Sequence, residues 1–274
     1  IFLYLAITLI PIISFSQEIN LVTTSISSVW QARRVSNSGA QLEWEATNSV
    51  IGTITQTGNS PVFDFGSNDG SPINITITSS DGFSGLTRLQ VYNLDVTAID
   101  ATAATSLNNY QMQRNAISTL DISTLPGLTF LRATNNIIEN LDITNNPLLT
   151  RLEISGNSLS TSNLDAIIAR LDAVGLSNGI LYISGNQGLS TGAQTAYDNL
   201  IAKNWAIDVP APSPPVFATI SITTTSTKSD WKARKIINTG NAFEWQASNA
   251  VIGTITKLGN APEFDFSAND GSPI

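Results

Sequence analysis

Side chains recur in this chain every 21 residues, and that period constrains the fold more than any other feature. Leu86, Leu107, Leu128 and Leu149 stand 21 apart, as do Leu89, Tyr110, Leu131 and Leu152. Val91, Met112, Ala133 and Ile154 keep the same step, and so do Asn115, Asn136 and Asn157. Ile99, Leu120 and Leu141 follow in phase, each ahead of an Asp: Asp100, Asp121 and Asp142. The unit reads L-x-x-L-x-Φ-x-x-N-x-I-x-x-L-D-I, where Φ is apolar. Its first half alternates as a short strand with one inward face. The turn that follows leaves backbone groups unpaired, and a buried Asn can both donate to and accept from them. A single coil cannot bury its own apolar face, so the coils must stack on one another.

This pattern resembles the leucine-rich repeat family, and most closely its internalin-like subclass with 21-residue units. That subclass runs close to L-x-x-L-x-C-x-x-N-x-L-x-x-L-D-V-S-x-N. The resemblance covers roughly Ile73 to Val209 and implies an α/β solenoid wound as a right-handed coil. The Cys column is replaced here by Val91, Met112, Ala133 and Ile154, and a structural Asn ladder is expected at Asn115, Asn136, Asn157 and Asn186. The first unit departs from the pattern, with Leu94 where Asn is expected and Asn93 one place early.

Between Ile154 and Ile183 the spacing grows to 29 residues. Leu164, Ile167, Ile168, Leu171 and Val174 in that insert have helical spacing, with Ser162 or Asn163 as N-cap and Gly175 as stop. A second helix is expected in AQTAYDNLIAKNW, with Ala196, Leu200 and Trp205 facing inward. Together they suit a helical C-terminal cap over an otherwise open end. Similar endings occur in secreted leucine-rich repeat proteins of Bacteroidota-type bacteria. Residues 18–72 have a different grammar. Short alternating runs such as QLEWEA and VIGTITQT lie between Asn/Gly/Pro turn signals, which predicts a β-rich N-terminal cap. Trp30 and Trp44 are its expected packing anchors, and its last strand, INITITSS, is expected to enter the solenoid spanning 73–209.

A longer repeat overlies the short one. Trp30, Trp44 and Phe63-Asp64-Phe65 recur as Trp231, Trp245 and Phe264-Asp265-Phe266, at a constant offset of 201 residues. The chain thus reads as one complete module followed by a Pro-rich linker, 210–217, and a truncated second copy of the cap, 218–274, which suits a piece of a longer tandem array. Residues 1–16 read as a signal peptide, with an apolar run and small residues Ser14 and Ser16 ahead of a cleavage point before Gln17. That run is too short for a membrane span.

The chain has no Cys and no His and a formal net charge of −8. Disulfide scaffolds, cysteine nucleophiles, His-based triads and His-ligated zinc are therefore excluded. The acidic balance also argues against nucleic acid. Three sets of residues invite a functional reading. The Asp column at 100, 121 and 142 suggests paired carboxylates, although a turn Asp bonding its own backbone explains it as well. The loop with Asp64, Asn68 and Asp69 is rich in oxygen ligands for Ca²⁺, yet it lacks the spaced ligand pattern and an Asn-Asp-Gly turn accounts for it. No metal, cofactor or catalytic residue is expected.

The third set is the concave strand face. Its outward positions include Arg88, Phe130 and Arg151 in one column, with Asn109 and Ile180. The next column holds Gln90, Gln111, Arg132, Glu153 and Tyr182, and Tyr92 opens a third. Arginine and aromatic side chains on a rigid sheet are the types that anchor interfaces. The sequence therefore points to a non-enzymatic, secreted or cell-surface binding module, expected as monomeric units, that recognises protein or glycan and serves adhesion. The alternatives are a structural stalk and a carboxylate-dependent solenoid enzyme acting on polysaccharide.

Overall fold

The computed structural model describes residues 17–212, 222–232, 244–259 and 262–274. The expected signal peptide and most of the Pro-rich linker lie outside these residues. The chain divides at Pro215/Val216 into two compact units.

The first unit begins with β1 (Glu18–Thr23), β2 (Arg34–Asn37), β3 (Leu42–Asn48), β4 (Gly52–Thr57), β5 (Ile73–Ser79), β6 (Leu86–Gln90) and β7 (Val96–Asp100). It continues with β8 (Asn109–Gln111), β9 (Phe130–Arg132), β10 (Arg151–Glu153), helix α1 (Thr161–Val174), β11 (Ile180–Tyr182), helix α2 (Gln194–Ala202) and β12 (Ala206–Ile207). Two sheets result. One is antiparallel, in the order β4-β3-β5-β1-β7; the other runs β12-β11-β10-β9-β8-β6-β2. In the second sheet β6, β8, β9, β10, β11 and β12 are parallel, one strand from each successive coil. This is a solenoid-like stack of coils.

Stacking explains why strands of only three residues persist. Leu89, Tyr110, Leu131, Leu152 and Leu181 pair in register across the sheet, and each is fully buried. Each file is walled by the coils on either side of it. The turns are tied by amides. Asn136 Nδ2 donates to Ala133 O in its own coil and to Met112 O in the coil before, both at 3.0 Å, and its Oδ1 accepts from Ile117 N at 3.1 Å. Asn157 repeats the scheme with Ile154 O, Ala133 O and Ile138 N, and Asn186 with Ile183 O, Ile154 O and Leu159 N. Asn115 bonds Met112 O and Val91 O and accepts from both Leu94 N and Val96 N. A buried backbone group left without such a partner costs about 1–3 kcal/mol, so each rung removes several penalties at once.

The residue before each rung is left-handed, as is Asn93 at the same place in the first coil: Asn93, Arg114, Asn135, Gly156 and Gly185 have φ between 54° and 73°. Gly adopts that region freely and Asn at little cost, while Arg114 takes it up at a steric cost. At Gly156 space matters as well, because a Cβ there would meet Asn135 Oδ1.

The N-terminal segment joins the first coil along two seams. β1 pairs antiparallel with β7, the return segment of that coil, while β2 pairs antiparallel with β6, its strand. Where the first coil lacks its Asn, the Leu94 carbonyl instead accepts from Thr23 Oγ1 at 2.7 Å and Trp30 Nε1 at 3.1 Å. One expectation is corrected here. INITITS, as β5, does not enter the parallel sheet. It lies between β1 and β3 in the antiparallel one. Its alternation faces Ile73, Ile75 and Ile77 into the core, the same hydrophobic cluster that takes in Trp44 and the coil residues Leu86 and Leu89.

Helix α1 starts two to three residues earlier than the sequence suggests, which places its cap at Ser162 or Asn163. Its cap is Ser160, whose hydroxyl accepts from Asn163 N, and Gly175 closes it at φ 82°. Asn163, freed from capping, bonds both the N–H and the carbonyl of Leu141. Leu164, Ile167, Ile168 and Leu171 face inward. From α2, Tyr197 and Leu200 are buried, and Trp205 follows, packed against Gly179, where a Cβ would strike the indole ring.

The second unit holds the hairpin β13 (Glu244–Asn249) and β14 (Gly253–Leu258), and an isolated bridge between Trp231 and Phe264.

Candidate functional site on the strand face

The register of the parallel sheet aligns the outward side chains in rows. Arg88, Asn109, Phe130, Arg151 and Ile180 are successive partners, and so are Gln90, Gln111, Arg132, Glu153 and Tyr182. Edge strand β2 extends both rows, placing Ser36 against Arg88 and Arg34 against Gln90. Sequence periodicity cannot reveal this extension, because RVSN lies outside the 21-residue repeat.

Near the middle of the face the side chains interlock. Glu153 is only 3% exposed. Arg132 Nε stands 2.9 Å from its Oε2, and Arg151 reaches its Oε1 through Nε at 2.6 Å and Nη2 at 2.5 Å. A carboxylate this buried needs such compensation, since desolvation otherwise disfavours its charge. The Arg151 guanidinium also lies 4.5 Å from the Phe130 ring centroid, within cation–π range. Gln111 donates to Asn109 Oδ1 at 2.9 Å. Gln111 and Gln113 are each 8% exposed, so this part of the face is a close-packed polar surface.

The ends of the face differ. Toward β2, Arg33 lies 6.0 Å over the Tyr92 ring, and Arg33 and Arg34 are exposed. Toward β12, Asp208 accepts from the hydroxyls of Ser155 and Ser184 at 3.0 and 2.6 Å and from the backbone of Ile183 at 2.7 Å. Tyr182 stands beside it, 37% exposed. Arg88, Gln90, Gln111, Arg132 and Glu153 therefore form one continuous field with Phe130 and Arg151, and Tyr92 and Tyr182 lie in its outer parts. Asp208 is a residue the sequence does not single out, because it follows the last repeat.

The other two sets are engaged locally. Asp100 accepts from Thr102 N, Asp121 from Ser123 N and Asp142 from Thr144 N, all within 2.9 Å. Hydrogen bonds from Ser123, hydroxyl first and then backbone, hold the Asp121 carboxyl below the usual range, and Thr144 does the same for Asp142. In the loop, Asp64 accepts from Gly66 N and Asp69 from Ser71 N. Asn68 is buried; it donates to Ser25 O and Ser71 O while accepting from Asn48 Nδ2. These are turn and knot bonds, and the Asn68 amide is fully occupied by protein. Among the described residues no group of three or more acidic, His or Cys side chains is arranged to hold a metal ion, and no helix is long and apolar enough to cross a membrane.

No family model matches the chain, and no curated protein matches it. Nine chains of known structure do. One is the functional domain of InlJ from Listeria monocytogenes, which includes a cysteine ladder; it is 22% identical, with a TM-score of 0.36, over 45% of this chain and 30% of that one. Another is an internalin, InlF, from Listeria monocytogenes, 21% identical with a TM-score of 0.38, over 46% of this chain and 35% of that one. The chain thus spans about a third of the length of these two proteins.

Proposed function

We propose that this chain is a secreted or cell-surface binding module, not an enzyme, which recognises a protein or glycan ligand through the outward face of its parallel sheet and serves in adhesion. The observation that carries the reading is the interlocked set Phe130, Arg151, Glu153 and Arg132. Binding surfaces gain when their side chains are ordered before the partner arrives, because less conformational entropy is lost on association. Here one buried carboxylate orders two arginines, and one arginine is stacked on an aromatic ring. Carboxylate chemistry has less support, since the acidic column is spent on turns and Glu153 is closed off by two guanidinium groups. In this reading the coil is right-handed, and the N-terminal sheet and the α1–α2 pair cap its two ends. The Asn column at 115, 136, 157 and 186 serves as scaffold.

The test is an array of glycans and extracellular proteins probed with the native chain and with an Arg132→Ala, Tyr182→Ala double variant. The native chain is expected to bind at least one class of ligand, and the variant to lose about tenfold or more in affinity, as hot-spot truncations do. A variant that binds every ligand as the native chain does would remove the strand face from the account.

A further inference from the structure

The charge of the strand face is opposite to that of the body that carries it. Residues 17–212 contain eight basic and sixteen acidic side chains. Five of those eight, Arg33, Arg34, Arg88, Arg132 and Arg151, stand on this face or at its β2 edge. Against them the two rows hold only Glu153, with Asp208 at the far end. Glu153 offsets part of the charge of Arg132 and Arg151 and leaves a cationic surplus. An acidic body repels polyanions everywhere else, so its field favours their approach to this one surface.

The filling between the arginines narrows the ligand further. Protein interfaces put an apolar, fully desolvated patch at their centre. Here the stretch of the face between Arg88 and Arg132 is amide: Gln90, Asn109, Gln111 and Gln113. Gln113 is nine-tenths buried, and among the described residues its Oε1 and the buried Arg88 Nε make no hydrogen bond. Side-chain amides both donate and accept, which is the complement of neighbouring sugar hydroxyls. The rows also repeat at the strand spacing of about 4.8 Å, close to the length of one pyranose ring in an extended chain. Such a row suits a polymer of repeating units better than a compact ligand.

We propose that the strand face binds a linear acidic polysaccharide, with Arg34 and Arg88 meeting its carboxylate or sulfate groups and the amide field meeting its hydroxyls. This rests on the strand-face reading above and specifies its ligand class. The experiment measures binding of the native chain to immobilised polygalacturonate and heparin, to fully methyl-esterified polygalacturonate, and to polyglutamate. Polygalacturonate or heparin is expected to bind and to weaken about tenfold or more between roughly 0.02 and 0.5 M salt, as the Debye length shrinks. An Arg34→Gln, Arg88→Gln variant with unchanged circular dichroism should lose about tenfold, and the single reversal Arg34→Glu, at an exposed position, should lose affinity without disturbing the packed arginine. Equal binding of the esterified polymer would overturn the role of charge. Equal binding of polyglutamate would overturn the saccharide and leave an acidic protein as partner. Unchanged affinity in both variants would place the polyanion site elsewhere. No binding to either acidic polysaccharide, with an array ligand still sensitive to Arg132 and Tyr182, would overturn this inference and leave the strand-face reading standing.

Discussion

The opening segment of the module occurs twice, and its two copies share turn chemistry and a buried Phe pair, Phe63 and Phe65 in one and Phe264 and Phe266 in the other, but not the burial of their tryptophans. In the first, Asn48 Nδ2 donates to Asn68 Oδ1 at 2.9 Å and Asn68 donates to Ser25 O and Ser71 O. In the second, Asn249 donates to Asn269 at 2.8 Å, and Asn269 to Ser226 O and Ser272 O. Trp44 and Trp245 each donate to a glycine carbonyl at 2.8 Å, Gly58 and Gly259. Yet Trp30 and Trp44 are 0% and 1% exposed, whereas Trp231 and Trp245 are only half-buried. The first copy has β5 on the far side of β3, and the Leu94 carbonyl over Trp30; among the described residues β13 pairs with β14 alone. Hydrogen-bonded turns and the buried Phe pair are thus a property of the segment itself, and full burial of its tryptophans is a property of what it docks against.

The sharpest way to break this comparison is Trp30→Ala against Trp231→Ala. At Trp30 the change empties a buried site and removes a donor from the Leu94 carbonyl. A loss of about 3–5 kcal/mol is expected, in line with other large-to-small core changes. At Trp231, already half-exposed, the expected loss is about half that or less. Calorimetric or urea unfolding of the whole chain measures both. Equal losses would mean that the second copy is packed as tightly as the first.

The converse substitution sharpens the comparison. Asn68→Ala and Asn269→Ala each remove a knot built from bonds inside the copy. The losses should be of order 1–3 kcal/mol and should agree within about 0.5 kcal/mol. Asn68 and Asn269 are 6% and 5% exposed, so solvent can replace neither set of bonds. A much larger effect in the first copy, again by unfolding of the whole chain, would show that the knot also serves the docked coils.

The same division explains what could be read from the chain. The 21-residue spacing determines which residues become lateral neighbours, so the step from Arg132 to Glu153 already brings the two side by side. The rungs at Asn136 and Asn157 follow from the same spacing, because a short amide after a strand has few other partners. Pairing between unlike segments is not carried by any period. Alternation marks INITITS as a strand but is silent on whether it joins β6 or lies between β1 and β3. RVSN is too short and polar to announce β2 at all, and with it goes the cationic edge at Arg34. The helix cap falls at Ser160 rather than at Ser162 or Asn163, because the Asn163 side chain is drawn to Leu141 and its N–H is left to the Ser160 hydroxyl. Burial of Glu153 was equally hidden, since it depends on two arginines folding over it.

Acid titration supplies the smallest and most selective test. Hydrogen bonds from Ser71, hydroxyl and backbone, lower the Asp69 carboxyl below its usual 3.8, and Ser272 does the same for Asp270. Asp81 lies in the first copy, past the stretch that 218–274 repeats. Its carboxyl falls to about 2 because the Ser79 hydroxyl, the Ala40 N–H and the Ser84 hydroxyl all donate to it. A depressed folded value means that the unfolded chain binds more protons between about pH 4 and pH 2. The stabilisation is therefore complete above pH 4 and fades as the pH falls toward 2. The first unit should show this extra acid slope, and the second should show only the shallower one from Asp265 and Asp270. Asp81→Asn should reduce the slope of the first unit below pH 4 to that left by Asp69, Asp121, Asp142 and Asp172, leave that of the second unchanged, and lower stability near neutral pH, where the carboxylate bonds are lost. Unfolding midpoints recorded every half unit from pH 2 to 6 decide it. A slope in the first unit that the substitution does not reduce at all would assign its acid sensitivity to the other lowered carboxyls, Asp69, Asp121, Asp142 and Asp172, and the claim that Asp81 adds a titratable contact would fail.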